Sequence, residues 1–327
     1  MTQLSVAVVI PAYNAEQTLP LCLQALTSQN IPPQEIIVVD DGSTDRTSAV
    51  AASFSGVRCV RQDNAGPAAA RNRGQRETGA DIVLLTDSDC VPAPDWVAAA
   101  AAGFVREDVG AVAGSYDIVN PGSRLARCIH AEILYRHLRL MPEYPRAFGS
   151  FNVAIRRDVY VKVGGFDESY PAASGEDNDL SYRIRRAGYK IRFDPRSRVG
   201  HHHPERVMRY LREQFRHGFW RVKMYRAHPH MTGGDDYTFW KDIAEVGLAG
   251  LTGLALLALP FGLPAVCVAA MAGVLMLLQA GFCFRICPNM FDGIFYTLVL
   301  YLRAFARAMG FSSGILMSFG RRKTKKR

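Results

Sequence analysis

Ile36-Ile37-Val38-Val39-Asp40-Asp41-Gly42-Ser43-Thr44-Asp45 is the stretch that decides the fold class: four β-branched residues in a row, then an acidic, turn-forming exit. An unbroken apolar run without polar alternation suits a strand covered on both faces, as in a parallel sheet. Working outward, Val6 to Ile10 repeats the pattern and exits through Pro11-Ala12-Tyr13-Asn14. Val57 to Val60 and Ile82 to Leu85 follow, the last exiting through Thr86-Asp87-Ser88-Asp89. Helical patterns lie between them, over Leu19 to Ser28, Arg46 to Phe54 and Ala68 to Thr78. Repeated βα units of this kind predict an α/β fold with a mainly parallel sheet flanked by helices. Ligands in such sheets bind beyond the carboxyl ends of the strands, which is where three polar exits collect.

Residues two apart in an extended segment face the same way, so Asp87 and Asp89 are expected to project together, with Cβ atoms roughly 6 to 7 Å apart. Carboxylates without thiol or imidazole at the pair favour a hard cation, Mg²⁺ or Mn²⁺, of the kind that bridges substrate phosphates. A plain solvated turn explains a lone D-x-D as well. The run from Asp40 to Asp45 reads as a turn with Ser43 or Thr44 capping the next helix, yet two adjacent acids exceed what a turn needs, leaving one for a nucleobase. Asn64-Ala65-Gly66 turns into an alanine-rich helix that carries Arg71, within reach of phosphates or simply solvated. Farther on, Leu180, Ile184 and Ala187 keep helical spacing up to Gly188, and Asp177 stands at that helix's start. There the helix dipole favours the ionised carboxylate, the form able to take a proton from an attacking hydroxyl; N-capping by Asp177 or Asn178 is the alternative. His201-His202-His203 offers imidazole to a metal or a diphosphate, or is a surface run.

The chain has 327 residues, 49% hydrophobic and 21% charged, enough for a sizeable core. Its formal charge of +9 is no sign of a nucleic-acid partner, because six of the last seven residues, Arg321 to Arg327, are basic. Seven scattered cysteines without a C-x-x-C suggest neither disulfides nor zinc and fit a reducing compartment. The start shows no signal-peptide pattern, so the N-terminal part is expected in the cytoplasm. From Val246 to Phe284 runs a stretch of 39 residues without a charge, broken only at Pro260 to Pro264. That is long enough for two crossings of about 20 residues each. Ile294 to Phe319 is also apolar but carries Arg303 and Arg307, and reads as an interfacial or tilted helix. A hairpin leaves the basic tail on the cytoplasmic side, as the positive-inside tendency prefers.

Six ordered motifs carry a resemblance: Val9 to Asn14, Ile37 to Asp45, Asn64-Ala65-Gly66 with Ala70-Arg71-Asn72, Asp87-Ser88-Asp89, Gly164-Gly165-Phe166-Asp167, and Gly175 to Leu180. Over residues 4 to 220 the chain resembles the family 2 glycosyltransferases. The resemblance implies a GT-A (Rossmann-like) fold, a nucleotide-diphosphate sugar donor, UDP-linked, a divalent metal (Mg²⁺ or Mn²⁺) and inversion at the anomeric carbon. By motif, Pro11, Tyr13 and Asp41 would contact the base, Asp87 the ribose side and Asp89 the metal, with His203 as a further metal ligand. Asp177 becomes the general base, and Arg71 and Glu176 belong to the substrate site. Gln214 and Arg216 sit where processive members carry Q-x-x-R-W, but here the arginine falls at +2 with no tryptophan after it, which argues against processivity.

The expected organisation is a GT-A domain over 1–225, a linker over 226–245, a transmembrane hairpin over 246–284 and an amphipathic or membrane helix with a basic tail over 285–327. The expected acceptor is lipid-linked or a cell-envelope glycan, met at the cytoplasmic face of the inner membrane. A nucleotidyltransferase would want a glycine-rich, lysine-containing loop after the first strand, which Pro11-Ala12-Tyr13-Asn14 is not. A non-catalytic membrane scaffold has no use for Asp41, Asp87, Asp89 and Asp177 together.

Overall fold

The computed structural model describes residues 4–170, 175–234, 236 and 238–324. The chain divides into two compact units, residues 1–120 with 136–202, and residues 121–135 with 203–327. The boundary expected at 225 therefore lies near the end of a helix that belongs wholly to the second unit.

In the first unit the elements run β1 (Val6–Ala12), α1 (Leu19–Thr27), β2 (Glu35–Asp41), α2 (Thr47–Ala52), β3 (Val57–Gln62), α3 (Pro67–Arg76), β4 (Ile82–Thr86), β5 (Cys90–Pro92), α4 (Trp96–Ala102) and β6 (Val109–Ile118). After α5 (Arg124–Arg139), which the division cuts, come β7 (Asn152–Arg156), α6 (Arg157–Lys162), α7 (Glu176–Arg186) and β8 (Lys190–His201). The eight strands form one sheet in the order β3-β2-β1-β4-β7-β6-β8-β5. Its first four strands are parallel, as the βα repeat predicts. Beyond β4 the sheet is mixed: β7 is antiparallel to both β4 and β6, β8 is parallel to β6, and β5 is antiparallel to β8.

Alternation along the strands splits the core in two. Val8, Ile10, Val38 and Leu84 pack on α1 and Trp96, while Val9, Ile37, Val39, Val83 and Leu85 meet α3, Phe166, Leu180 and Ile184 on the other face. Each such buried aliphatic side chain contributes about 1.5–3 kcal/mol relative to exposure. Helix α3 lies close on β1 because Gly74 carries no side chain: a Cβ there would stand 2.2 Å from Val9 Cγ1. Where the β6–β8 register shifts between Ala113 and Ser115, Asn152 fills the gap. Its amide donates to the Ser115 and Ser197 carbonyls, and its oxygen accepts from Trp96 Nε1 at 2.8 Å.

The second unit holds the first part of α5 with α8 (Val207–Ala227), α9 (Trp240–Ala258), α10 (Ala265–Ile286) and α11 (Met290–Thr324). Three helical stretches, Trp240–Phe261, Ala265–Ile286 and Met290–Ser318, are long and apolar enough to cross a membrane. The arginines that break the third stretch are turned inward. Arg303 is 1% exposed and bonds Glu132 at 2.9 Å and Glu245 at 3.1 Å, while Arg307 reaches Asp242 and Gln214. Lys241 bonds Glu245 and Gln279, and the Tyr296 hydroxyl donates to Glu132.

Candidate active site

The exits of β1 and β2 are laced together by their own polar side chains. Asn14, at φ 49°, donates its N–H to Ser43 Oγ and accepts from the Thr44 N–H, and Ala15 N–H bonds Thr47 Oγ1. Neither Ser43 nor Thr44 caps α2, contrary to the local expectation; Asp45 accepts the Thr47 N–H instead. The lacing leaves Pro11 buried and holds Tyr13 out in solvent, 53% exposed, an aromatic face available for stacking on a base.

Asp40 and Asp41 are both buried, and both are occupied. Asp40 accepts from the Ser43 N–H and the Ser48 hydroxyl and pairs with Arg61, which together hold its carboxyl below the usual carboxylate range despite burial. Asp41 accepts from Gln62 Nε2 and from the backbone N–H groups of Ala65 and Gly66, at 2.7–2.9 Å. Its carboxylate shapes the loop leading into α3, and three of its roughly four acceptor positions are already used. Gly42, at φ +75°, lets that loop approach: a Cβ there would meet Asn64 N at 2.8 Å.

The triplet Asp87-Ser88-Asp89 departs from the extended geometry expected of it. Cys90 N–H bonds the Asp87 carbonyl at 3.1 Å, closing a turn across the triplet, and the two carboxylates have different partners. Asp87 accepts from Arg71 Nη2 at 2.7 Å. Asp89 lies beside His201, whose Nε2 is 3.9 Å from its Oδ1, because the antiparallel β5–β8 pairing sets Cys90 opposite His201. Asp89, Cys90 and His201 form the metal-capable group among the described residues, their ligand atoms within 4.8 Å of one another. Burial pushes the Cys90 thiol well up, and a hard ion prefers the carboxylate and the imidazole to the soft sulfur. Burial, with Asp87 adding to it, also raises the Asp89 carboxyl, a cost that a bound cation would offset.

Arg71 is 2% exposed and joins two motifs far apart in sequence. Besides Asp87, its guanidinium donates to Glu176 Oε1 at 3.1 Å, with the Phe166 ring 5.4 Å away. The next residue, Asn72, is saturated: its oxygen accepts from Tyr160 OH and Phe166 N–H, and its amide donates to the Phe166 carbonyl and to Glu168. This accounts for Gly165, at φ +66°, since a Cβ there would stand 2.5 Å from Asn72 Oδ1.

Asp177 lies in the first turn of α7, half-buried. The N-cap is Gly175, at φ +119°, so neither Asp177 nor Asn178 caps the helix. Helix position does not decide its charge either: burial first, and then the neighbouring Glu176 carboxylate, push its carboxyl up to about 7, against the opposing pull of the Asn178 N–H and Arg71. The expectation that the helix start favours the ionised form is thus reversed, and the group is poised near neutrality, where proton transfer in either direction is cheap.

Of the sequence-predicted residues, Arg71, Asp87, Asp89, Glu176 and Asp177 come together around one guanidinium and the adjoining turn, while Pro11, Tyr13 and Asp41 form the neighbouring strand exits. His203, Gln214 and Arg216 belong to the second unit. There His203 packs near His130, Gln214 accepts from Arg307 Nε, and Arg216 is exposed on α8. The imidazole at Asp89 within the first unit is His201, steadied by edge contacts with Tyr116 and Phe151. Its signal in the sequence was its place as the last residue of a strand, but nothing there showed which strand it would pair with.

A family model described as glycosyl transferase family 2 matches residues 7–164, and one described as the N-terminal domain of galactosyltransferase matches residues 130–206. The chain is 28% identical over 227 residues to glycosyltransferase AglE of Haloferax volcanii, covering 67% of this chain and 74% of that one. It is 32% identical over 219 residues to the probable glycosyltransferase YdaM of Bacillus subtilis, covering 61% of this chain and 51% of YdaM, about half of that relative's length. Among solved structures, mannosyltransferase PcManGT from Pyrobaculum calidifontis, in complex with GDP-Man and Mn²⁺, shares the fold with a TM-score of 0.61 at 20% identity, over 94% of this chain and 88% of that one.

Proposed function

We propose that this GT-A protein, which the glycosyl transferase family 2 model matches over residues 7–164, is an inverting, metal-dependent glycosyltransferase that moves one sugar from a nucleotide-diphosphate donor to a lipid-linked or cell-envelope glycan acceptor at the cytoplasmic membrane face. The observation that carries the reading is the single guanidinium of Arg71, which ties the Asp87–Asp89 turn to the Glu176–Asp177 helix start. Without that link the donor side and the base would be two unrelated acidic loops.

Tyr13 stacks on the base and Asp41 shapes the loop beside it. Asp89 and His201 are the residues that would hold Mg²⁺ or Mn²⁺, which when bound neutralises charge developing on the leaving diphosphate. Asp177 takes the proton of an acceptor hydroxyl, whose oxygen attacks the anomeric carbon as the nucleotide diphosphate leaves; attack opposite the leaving group inverts that centre. Arg71 is a positioning residue: it is buried, and its charge is already committed to two carboxylates. The apolar helices of the second unit support a membrane-bound enzyme and hence a greasy acceptor.

A panel of UDP- and GDP-linked sugars, screened by thermal shift with and without Mn²⁺, tests the donor assignment, since a ligand that binds only the folded state raises its stability. A stabilising nucleotide sugar whose effect needs Mn²⁺ is expected. No response to any member, or full response in chelator, would count against the metal-assisted donor site.

A further inference from the structure

Helix α8 and the later part of α11 lie side by side. Tyr210 Oη is 3.3 Å from Arg303 Nη1, and Gln214 Oε1 accepts from Arg307 Nε at 2.8 Å. Beyond these side-chain links the backbones themselves touch. A Cβ on Gly310 would stand 2.0 Å from the Phe215 carbonyl oxygen, one on Gly314 2.5 Å from that of Phe219, and one on Gly218 2.3 Å from that of Arg307. Partners on the two helices rise together, so the pair is parallel, and the Gly310-x-x-x-Gly314 spacing is what lets it close so tightly. The side of α8 turned away from this contact exposes Arg209, Arg212, Arg216 and Arg226.

The outward face of α11 is different. Phe291, Leu298, Leu302, Met309 and Leu316 are all exposed and at 100° per residue fall within about 20° of one line along the helix, with exposed Ile294 and Met317 roughly 60° and 80° to either side. A helix that crosses a bilayer meets lipid around its free circumference. One that lies in the interface buries a single stripe along its whole length and keeps charge on the other side. The rest of α11 is covered by α8, α9 and α10, so the stripe alone suits either disposition; α8 decides between them, because its arginines could not follow α11 into hydrocarbon without leaving several charges in lipid.

We infer that only α9 and α10 cross the membrane, and that α11, with α8 packed along it, lies in the membrane surface with its apolar stripe down. This rests on the membrane-bound reading above and sharpens it: three apolar helices give two crossings. The basic tail then stays on the side of the N-terminus, as positive-inside preference requires of six positive charges in seven residues.

Three full-chain fusions in a bacterial host test this, with reporters that distinguish the two sides of the inner membrane: green fluorescent protein, bright only inside, and alkaline phosphatase, active only outside. They are placed before Leu4, at Gly262 between α9 and α10, and after Arg327. Expected is a Gly262 reporter opposite to the other two, with the tail reporter matching the N-terminal one. A tail reporter opposite to the N-terminus with Gly262 across would show α11 crossing and overturn the inference while leaving the membrane reading intact. All three on one side would overturn both.

Discussion

The two units bury two clusters of charge, and they differ in balance. In the second, Arg303, Arg307 and Lys241 face Glu132, Asp242 and Glu245, three cations against three carboxylates, with all but Arg307 nearly sealed from solvent. In the first, one buried cation, Arg71, stands among Asp87, Asp89, Glu176 and Asp177. The matched cluster is balanced in charge and ties helices together. The unmatched one carries surplus negative charge on groups that stay half-exposed, which suits a site that takes up a cation and a proton. A buried ion pair is by itself weak grounds for stability or function, so charge balance separates the two roles better than burial does.

Mutations that hit one cluster should therefore change chemistry and those that hit the other should change folding. The largest effect is expected from Asp177→Asn, which keeps the shape and removes the base. Transfer should fall by about a hundredfold to ten-thousandfold, with donor affinity from titration unchanged. Near wild-type transfer would place the base elsewhere. Asp89→Ala should abolish the Mn²⁺-dependent part of donor binding, and His201→Ala should raise the Mn²⁺ needed for half-maximal activity while His203→Ala leaves it unmoved. The opposite ranking of the two histidines would restore the ligand expected from the sequence. In the second unit, Arg303→Met strands Glu132 and Glu245 without their main partner. A loss of about 3–5 kcal/mol in detergent is expected, seen as a lowered unfolding midpoint, with unaltered donor affinity in the protein that remains folded.

Much of this could be read before any coordinates. The seven elements from Val6 to Thr86 fall within a few residues of their expected bounds, because each strand is an unbroken apolar run and each exit is polar. The second half of the sheet was not legible: β7 and β5 run antiparallel to their neighbours, and antiparallel pairing between strands distant in sequence leaves no local signature. For the same reason His201 was not singled out over His203. Side-chain partners were harder still. Asp41 was expected at a base and is found holding the Asn64–Gly66 loop; Arg71 was expected within reach of phosphates or solvated, and is found buried between two acids. Arg303 and Arg307 spoke against an apolar helix in the sequence, and only folding shows that they point inward to carboxylates contributed by α5 and α9.

The smallest effect is also the sharpest probe of the unmatched cluster. Burial and Glu176 hold the Asp177 carboxyl near 7, well above its ordinary 3.8. Between those values the native state keeps a proton that the unfolded chain gives up, so stability falls as pH rises through that window, whereas transfer, which needs the carboxylate, rises through pH about 7. Glu176→Gln removes the second cause and leaves the first. The acid limb of kcat/KM should then move down by about one pH unit, without returning to the ordinary carboxylate range. Activity at high pH should change less than activity at pH 6, since the ionised base is the same group in both proteins. Were Glu176 merely a structural partner of Arg71, its replacement would lower activity equally at every pH and leave the limb where it was.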